Sequence, residues 1–195
     1  MLFEEFTPVA PISQASLDAF GDTVPPPIKQ FWQEHGTGLI GDGYFRLVDP
    51  TRAAAMLGDA SPVFAPTPII FATAMADLIA WWPDEKQWLV AKTRLGKLQT
   101  APVAVEKLAL VMKDEAEFRD VVWDWAPYPD AAARLGAPDF DECLMHVPML
   151  GLGGRGDAAT MARGSLWVHV GMMVTMTGRP KDYSVIPWPN WIDPN

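Results

Sequence analysis

Apolar residues near the start of the chain follow a helical spacing. Ile28, Phe31 and Trp32 stand at positions i, i+3 and i+4, after a run of prolines and before Gly36. Proline fits the first turn of a helix, because its missing N–H would have no partner there, and glycine suits the left-handed residue that ends a helix. The pattern predicts a helix over about 26–35.

A strand followed at once by a second helix is predicted next. Residues 44–48 (YFRLV) are mostly aromatic or aliphatic and come directly after glycine turn residues. Asp49 can cap a helix whose first position is Pro50, and Gly58 can end that helix. Strand, cap and helix therefore follow one another without a linker.

Residues 68–100 have the pattern of an antiparallel meander. They contain four short runs rich in β-branched and aromatic residues, separated by turn signals that include 83–86 and Gly96. Neighbouring strands with such short connections pair antiparallel. The next apolar run, 107–114, fits either a further strand or a helix.

The C-terminal half has a more helical pattern. Residues 114–126 predict an amphipathic helix with Asp114 as its cap, whereas 127–148 look broken by prolines. A last helix is predicted between Ser165, as its cap, and Gly178, as its end.

Composition supports one large or two small, closely packed domains. The 195 residues are 49% hydrophobic, with nine Trp and ten Met, which is enough for a sizeable core, and nineteen prolines divide the chain into short elements. Composition changes near residues 100–106, which suggests a division into 1–104 and 105–195. We expect an α+β fold in which an antiparallel sheet with flanking helices packs against a smaller helical C-terminal part.

The net charge of −9 limits the partners of the chain. Such a surface repels nucleic-acid backbones and anionic lipids and attracts basic proteins, although acidity can also serve solubility alone. The single cysteine allows no internal disulfide, and neither a signal peptide nor an apolar stretch long enough to span a bilayer is visible. We expect a soluble cytoplasmic protein with no nucleic-acid or membrane partner.

Three glycines, at 151, 153 and 156, fit the dinucleotide pattern G-x-G-x-x-G. A nucleotide site also needs a strand before the loop, a helix after it and an acidic residue about twenty positions on. The residues before the loop contain Pro148, and the region twenty positions on is apolar. A glycine-rich turn is the favoured interpretation, and no cofactor is predicted.

Histidine and cysteine offer little chemistry in this sequence. His35, His146 and His169 lack metal-ligand spacing, so no metal site is predicted, and His169 is expected to be a hydrogen-bonded interior residue. Cys143 and His146 would share a face of a helix, which leaves a small Cys–His enzyme as an alternative. A cysteine in an apolar stretch is more often a buried hydrophobe, and we predict no catalytic residue.

Carboxylates concentrate between residues 114 and 142. The expected exposure of most of them favours a solvated face. A surface complementary to a basic protein is the other interpretation, and it gains weight from the overall charge. The candidate partner-binding residues are Asp114, Glu115, Glu117, Asp120, Asp124, Asp130, Asp139, Asp141 and Glu142.

Four stretches together resemble the GAD-like immunity proteins of bacterial type VI secretion systems. They are 25–50 (PPPIKQFWQEHGTGLIGDGYFRLVDP), 68–82 (PIIFATAMADLIAWW), 135–154 (LGAPDFDECLMHVPMLGLGG) and 166–178 (LWVHVGMMVTMTG). The resemblance implies an N-terminal GAD-like region, a smaller C-terminal domain, and a turn formed by Gly151, Gly153 and Gly154.

The resemblance also implies a function without catalysis. Such proteins bind a cognate secreted toxin, often a DNase, in the producing cell and block it. A nuclease has a basic groove for phosphate, which an acidic protein can occupy. We expect a 1:1 complex with a basic toxin. The alternatives are the Cys143/His146 enzyme and an acidic intracellular scaffold for another basic partner.

Overall fold

The computed structural model describes residues 2–64, 66–112, 116–178 and 182–185. Within these ranges the chain forms ten strands and seven α-helices. The strands are β1 (Phe6–Ala10), β2 (Thr37–Ile40), β3 (Phe45–Leu47), β4 (Ile69–Thr73), β5 (Leu78–Trp82), β6 (Gln87–Lys92), β7 (Lys97–Ala101), β8 (Glu142–His146), β9 (Met161–Ser165) and β10 (Asp182–Val185). The helices are α1 (Gln14–Phe20), α2 (Pro26–His35), α3 (Pro50–Leu57), α4 (Val105–Val111), α5 (Ala116–Trp123), α6 (Pro127–Leu135) and α7 (Leu166–Thr177).

Eight strands form one sheet in the order β1-β2-β3-β4-β5-β6-β7-β10. All neighbours pair antiparallel except β10, which pairs parallel with β7. The remaining two strands, β8 and β9, form a separate antiparallel pair. The α+β fold with a large antiparallel sheet and flanking helices is therefore confirmed.

Two hydrophobic clusters cover the two faces of the sheet. In β6, Trp88 and Val90 lie in one cluster. Leu89 and Ala91, the residues next to them, lie in the other. This alternation is expected, because successive side chains of a strand point to opposite faces. Helices α2, α4, α5 and α6 contribute to the first cluster. Helices α3 and α7 contribute to the second.

The two clusters differ in the size of their side chains. The first is rich in aromatic residues, with edge-to-face contacts such as those of Phe45 with Trp123 and Tyr44 with Tyr128. The second contains six alanines, of which Ala72, Ala80 and Ala91 lie on strands of the sheet and Ala53 on α3. Aromatic rings therefore fill much of the first cluster, whereas small side chains make up much of the second.

The structure confirms the elements predicted from local sequence signals in the N-terminal part. The predicted helix over 26–35 is α2, and Gly36 follows it with a positive φ of 73°. The Asp49 side chain caps α3, which has Pro50 in its first turn and Gly58 after its end. The four-stranded meander is also confirmed, as β4 to β7.

Sequence patterns were less reliable after residue 104. The run 107–114, which fitted a strand or a helix, overlaps α4. The expectation that 127–148 is broken by prolines was wrong, because it contains α6 and β8. Pro127 lies in the first turn of α6, where proline is accommodated, and the strand pairing of β8 depends on residues about twenty positions away.

The last helix was predicted correctly. The Ser165 side chain caps α7 and accepts a hydrogen bond from the Val168 N–H, and Gly178 follows the last turn. The predicted cap of α5, Asp114, lies outside the described residues.

Packing is continuous across the predicted division between 1–104 and 105–195. The first cluster joins sheet residues to Leu108, Trp123 and Leu144, and β10 extends the sheet itself. The C-terminal part thus supplies three strands as well as four helices. The division into two domains stays a prediction.

Candidate partner-binding surface

Those of the nine predicted acidic residues that the structure describes lie in different surroundings. Asp114 and Glu115 lie outside the described residues, and Glu117 belongs to α5, with its side chain outside the description. The other six are described in full and fall into two groups. Asp124, Asp139, Asp141 and Glu142 interact with basic side chains, whereas Asp120 and Asp130 do not.

Three of the carboxylates meet at the start of β8. Asp141 forms an ion pair with Arg52 of α3 and accepts a hydrogen bond from the Trp167 indole of α7, at 3.0 Å. Arg163 of β9 pairs with Glu142, and its guanidinium lies 3.5 Å from Asp139. The pairing with Arg163 is the first cause of the lowered pKa of Glu142. These carboxylates fasten β8 to β9, α3 and α7.

Asp124 lies at the end of α5, with a positive φ of 49°. Its carboxylate pairs with the buried Lys92 ammonium group. Beside this pair, Arg94 donates to the fully buried Asp77 carboxylate and to the Trp123 carbonyl, each at 3.1 Å. Basic residues near the ends of β6 and β7 therefore hold the end of α5 against the sheet.

Asp49 and Asp77 are two buried carboxylates that were not among the candidates. Asp49 accepts hydrogen bonds from the Ser16 hydroxyl at 2.6 Å and from the Ser13 N–H at 2.8 Å, which ties α1 to α3. Burial alone would raise the pKa of Asp49, but these and further hydrogen bonds outweigh it, and its pKa lies below the ordinary value. We call Asp49, Asp77, Asp124, Asp139, Asp141 and Glu142 the paired carboxylates.

Asp120 on α5 and Asp130 on α6 are exposed. Neither side chain forms an ion pair or hydrogen bond with a described residue, and we call these two the open carboxylates. Half-buried Trp125 lies between them in the sequence, at the junction of α5 and α6, with the Arg119 guanidinium 5.5 Å from its ring. This outer surface of α5 and α6 is the candidate partner-binding site.

Arg46 is a buried residue that the sequence reasoning missed. Its guanidinium donates to the carbonyls of Phe140, Asp139 and Pro138 at 3.0–3.3 Å. Burial lowers the pKa of Arg46 to about 10. An arginine in a short apolar strand, Phe45–Leu47, was the available signal, since a charge inside a strand that faces the core requires buried acceptors.

The alternative pair of Cys143 and His146 lies on a strand and not on a helix. An odd spacing in a strand places the two side chains on opposite faces. Cys143 lies in the second cluster, whereas His146 lines a small cavity with residues of α7. Burial raises the pKa of the Cys143 thiol to about 12, so the thiol is not poised to form a nucleophilic thiolate at neutral pH.

The glycine loop connects β8 to β9 and has the geometry of a turn. Gly153 has a φ of 82° after the short 3₁₀ helix Leu150–Leu152. A Cβ on Gly154 would lie 1.8 Å from the Pro148 carbonyl oxygen, so only glycine fits there. A single 3₁₀ turn, Ala158–Thr160, and then strand β9 follow the loop, where a dinucleotide fingerprint requires an α-helix.

The described residues contain no group of three or more His, Cys, Asp or Glu side chains placed to hold a metal ion. They also contain no helix with the length and hydropathy needed to cross a bilayer.

Comparison with known proteins gives a family for the N-terminal half and a fold for nearly all of the chain. No curated protein matches the chain. The crystal structure of Atu4351 from Agrobacterium tumefaciens is similar with a TM-score of 0.68 and 15% identity, covering 92% of this chain and 88% of that chain. Residues 2–93 match the GAD-like domain. The part of the molecule from β1 to β6 is therefore a GAD-like domain.

Proposed function

We propose that the protein is an immunity protein that binds and neutralises a cognate type VI secretion toxin, a DNase, in the cytoplasm of the producing bacterium. The GAD-like domain supports the proposal, because the family includes immunity proteins. The net charge of −9 fits a basic nuclease as the partner. Inhibition is by a 1:1 complex without catalysis.

The observation that carries the proposal is the contrast between the paired and the open carboxylates. Asp120 and Asp130 are exposed and uncompensated, so their charge is available to a basic partner. The paired carboxylates are instead compensated by basic side chains, hydroxyls or backbone N–H groups within the chain. Electrostatic attraction from open charges raises the rate of association and makes it sensitive to salt.

Charge alone does not supply tight binding. Interfaces obtain most of their affinity from a few well-packed side chains, with Trp and Arg prominent among them. Trp125 lies at the α5–α6 junction and is half-buried, so part of its ring is accessible to a partner. We propose Trp125 as an anchor and the two open carboxylates as the steering groups.

The test is binding to the toxin encoded by the neighbouring gene. The double variant Asp120→Asn/Asp130→Asn should slow association by roughly three- to tenfold at low salt, and the difference should shrink as salt rises. Association is measured by stopped-flow or surface plasmon resonance at two salt concentrations.

A matched control removes the same charge elsewhere. Asp84 and Glu85 are exposed in the turn between β5 and β6, and Asp84→Asn/Glu85→Gln should leave association close to that of the wild type. Equal effects of the two double variants would contradict the proposed surface. Absence of any toxin binding by the wild type would contradict the function itself and leave the scaffold for another basic partner as the better account.

A further inference from the structure

An apolar groove lies at one end of the sheet, where the starts of α2 and α4 meet the turn between β5 and β6. It has a volume of about 400 Å³, and its lining includes prolines 25–27, Trp81, Pro83 and Ala104. Trp81 is half-buried, and its indole N–H donates to the Thr23 carbonyl at 2.8 Å, which holds the ring in place. Grooves lined by aromatic side chains are surfaces on which proline-rich segments bind.

The chain itself contains a proline-rich segment after β10. Residues 186–195 (IPWPNWIDPN) have three prolines and two tryptophans, and they lie outside the described residues. Such a composition favours the polyproline II conformation, which has three residues per turn. Trp188 and Trp191 are three positions apart, so this conformation would present both indoles on one side of the segment.

The register of the sheet brings the start of this segment to the end of the sheet that holds the groove. Trp81, Trp88 and Ala101 pair in one row across β5, β6 and β7. Strand β10 runs parallel to β7, and its last residue, Val185, pairs one position before Ala101. The chain therefore leaves β10 at the row that contains Trp81.

The segment is long enough to reach the groove. Neighbouring strands are about 4.8 Å apart, so β5 lies about 14 Å from β10 across β6 and β7. A polyproline II segment rises about 3.1 Å per residue, which carries Trp188 about 9 Å and Trp191 about 19 Å beyond Val185. Because the segment is tethered at β10, its effective concentration at the groove is high.

The charges at the groove also fit this occupant. Lys86 lines the groove and is exposed, and its ammonium group forms no ion pair with a described residue. Asp193 is the only charged residue of the segment. Glu106 lines the groove as well, which favours an orientation with Asp193 on the Lys86 side. We infer that residues 186–195 bind in this groove of their own chain, with their indoles against its aromatic and proline side chains.

The inference is tested by limited digestion of the purified full-length chain with chymotrypsin, followed by mass spectrometry. Chymotrypsin cuts after aromatic residues unless proline follows, so the bond after Trp191 is a substrate and the bond after Trp188 is not. Cleavage requires local release of the segment from the groove. The wild type should lose residues 192–195 at least about tenfold more slowly than a synthetic peptide of residues 184–195 is cut. The test needs no toxin, so its outcome is independent of the proposed function.

A variant of the groove separates binding there from protection by other causes. Ala104 is exposed at the start of α4, where an acidic residue is well tolerated, so Ala104→Glu should fold. Binding of the segment would bury the new charge, so cleavage after Trp191 should become about tenfold faster than in the wild type. The matched control is Ala55→Glu, which is exposed on α3 outside the groove and should be cut at the wild-type rate. Trp188→Ala should also lose protection relative to a peptide with the same substitution.

Three results would overturn the inference. One is cleavage of the wild type as fast as that of the free peptide. Another is a wild-type cleavage rate in Ala104→Glu with an unchanged urea midpoint, which would mean that the segment is protected somewhere else. The third is protection that increases with protein concentration, because the segment would then bind a second copy of the chain and not its own groove.

Discussion

Two kinds of carboxylate differ in burial and hydrogen bonding. One kind connects secondary-structure elements inside the fold, and the other lies on the outer surface of α5 and α6. Asp49 and Asp77 are buried and receive hydrogen bonds from side chains of other elements. Asp120 and Asp130 are exposed and receive none from the described residues. The acidic composition thus has two separate uses. Part of it stabilises the packing of helices on the sheet, and part remains available to a partner.

This contrast changes the meaning of the acidic segment 114–142. From composition it is one run of negative charge, but the structure pairs four of its members internally. An acidic partner-binding surface must therefore be defined by which carboxylates lack partners and not by sequence density. Of the members described in full, the remaining two, Asp120 and Asp130, lie on α5 and α6, before and after Trp125 in the sequence.

The largest effect is expected at Asp77. Asp77→Ala leaves the buried Arg94 guanidinium without its carboxylate, and breaking a buried ion pair costs about 3–5 kcal/mol of unfolding free energy. Urea denaturation measures this loss. The double variant Asp77→Ala/Arg94→Met should recover part of it, because no buried charge then remains unpaired. A double variant no more stable than the single one would contradict this explanation.

A smaller effect, with a defined pH dependence, is expected at Asp49. Asp49→Asn removes a charged cap that accepts hydrogen bonds from Ser13, Ser16, Thr51 and the Arg52 N–H, at a cost of about 2 kcal/mol at pH 7.

The pKa of Asp49 in the folded protein lies below the unfolded value of 3.8. The carboxylate therefore contributes stability fully above that value and loses it as the pH falls through the lower folded pKa. The difference between Asp49→Asn and the wild type should shrink below about pH 4. Denaturation curves between pH 7 and pH 3 test this, and a constant difference would contradict the role of ionised Asp49.

The smallest effect on stability is expected at the open carboxylates. Asp120→Asn/Asp130→Asn should leave the urea midpoint unchanged, because exposed side chains without partners contribute little to folding. The same variant should still slow association with the toxin. Destabilisation comparable to that of Asp49→Asn would show that these two residues also stabilise the folded protein. That result would contradict the contrast between the open and the paired carboxylates.

Local signals explain what the sequence could predict. Helix α3 has its cap Asp49, its first-turn Pro50 and its final Gly58 within nine positions, so its bounds follow from backbone chemistry alone. The meander from β4 to β7 is similarly local, since each strand pairs with the next along the chain. Such elements need no knowledge of the rest of the molecule.

Elements that depend on distant partners could not be predicted in the same way. The strand β9 contains Arg163 and Gly164 and has little apolar character, and it exists because β8 pairs with it across the glycine loop. Helix α6 has Pro127 and Pro129 in its first turn, a pattern that also fits a turn. In both cases the tertiary context decides between two local possibilities.

Prediction of the candidate sites from the sequence is limited in the same way, because their surroundings depend on residues distant in the sequence. The sequence identified the acidic residues, but not that Lys92, Arg52 and Arg163 would compensate several of them. It also gave no indication that His146 and His169, twenty-three positions apart, would line one cavity. Their meeting depends on how α7 packs against β8, which no spacing rule describes.

The most direct test is a titration of the neighbouring gene's toxin with this protein in a DNA-cleavage assay. The proposed function predicts that cleavage falls linearly and ends at one equivalent of the protein, with higher salt slowing the onset of inhibition. Full nuclease activity in the presence of a large excess of folded protein would contradict it.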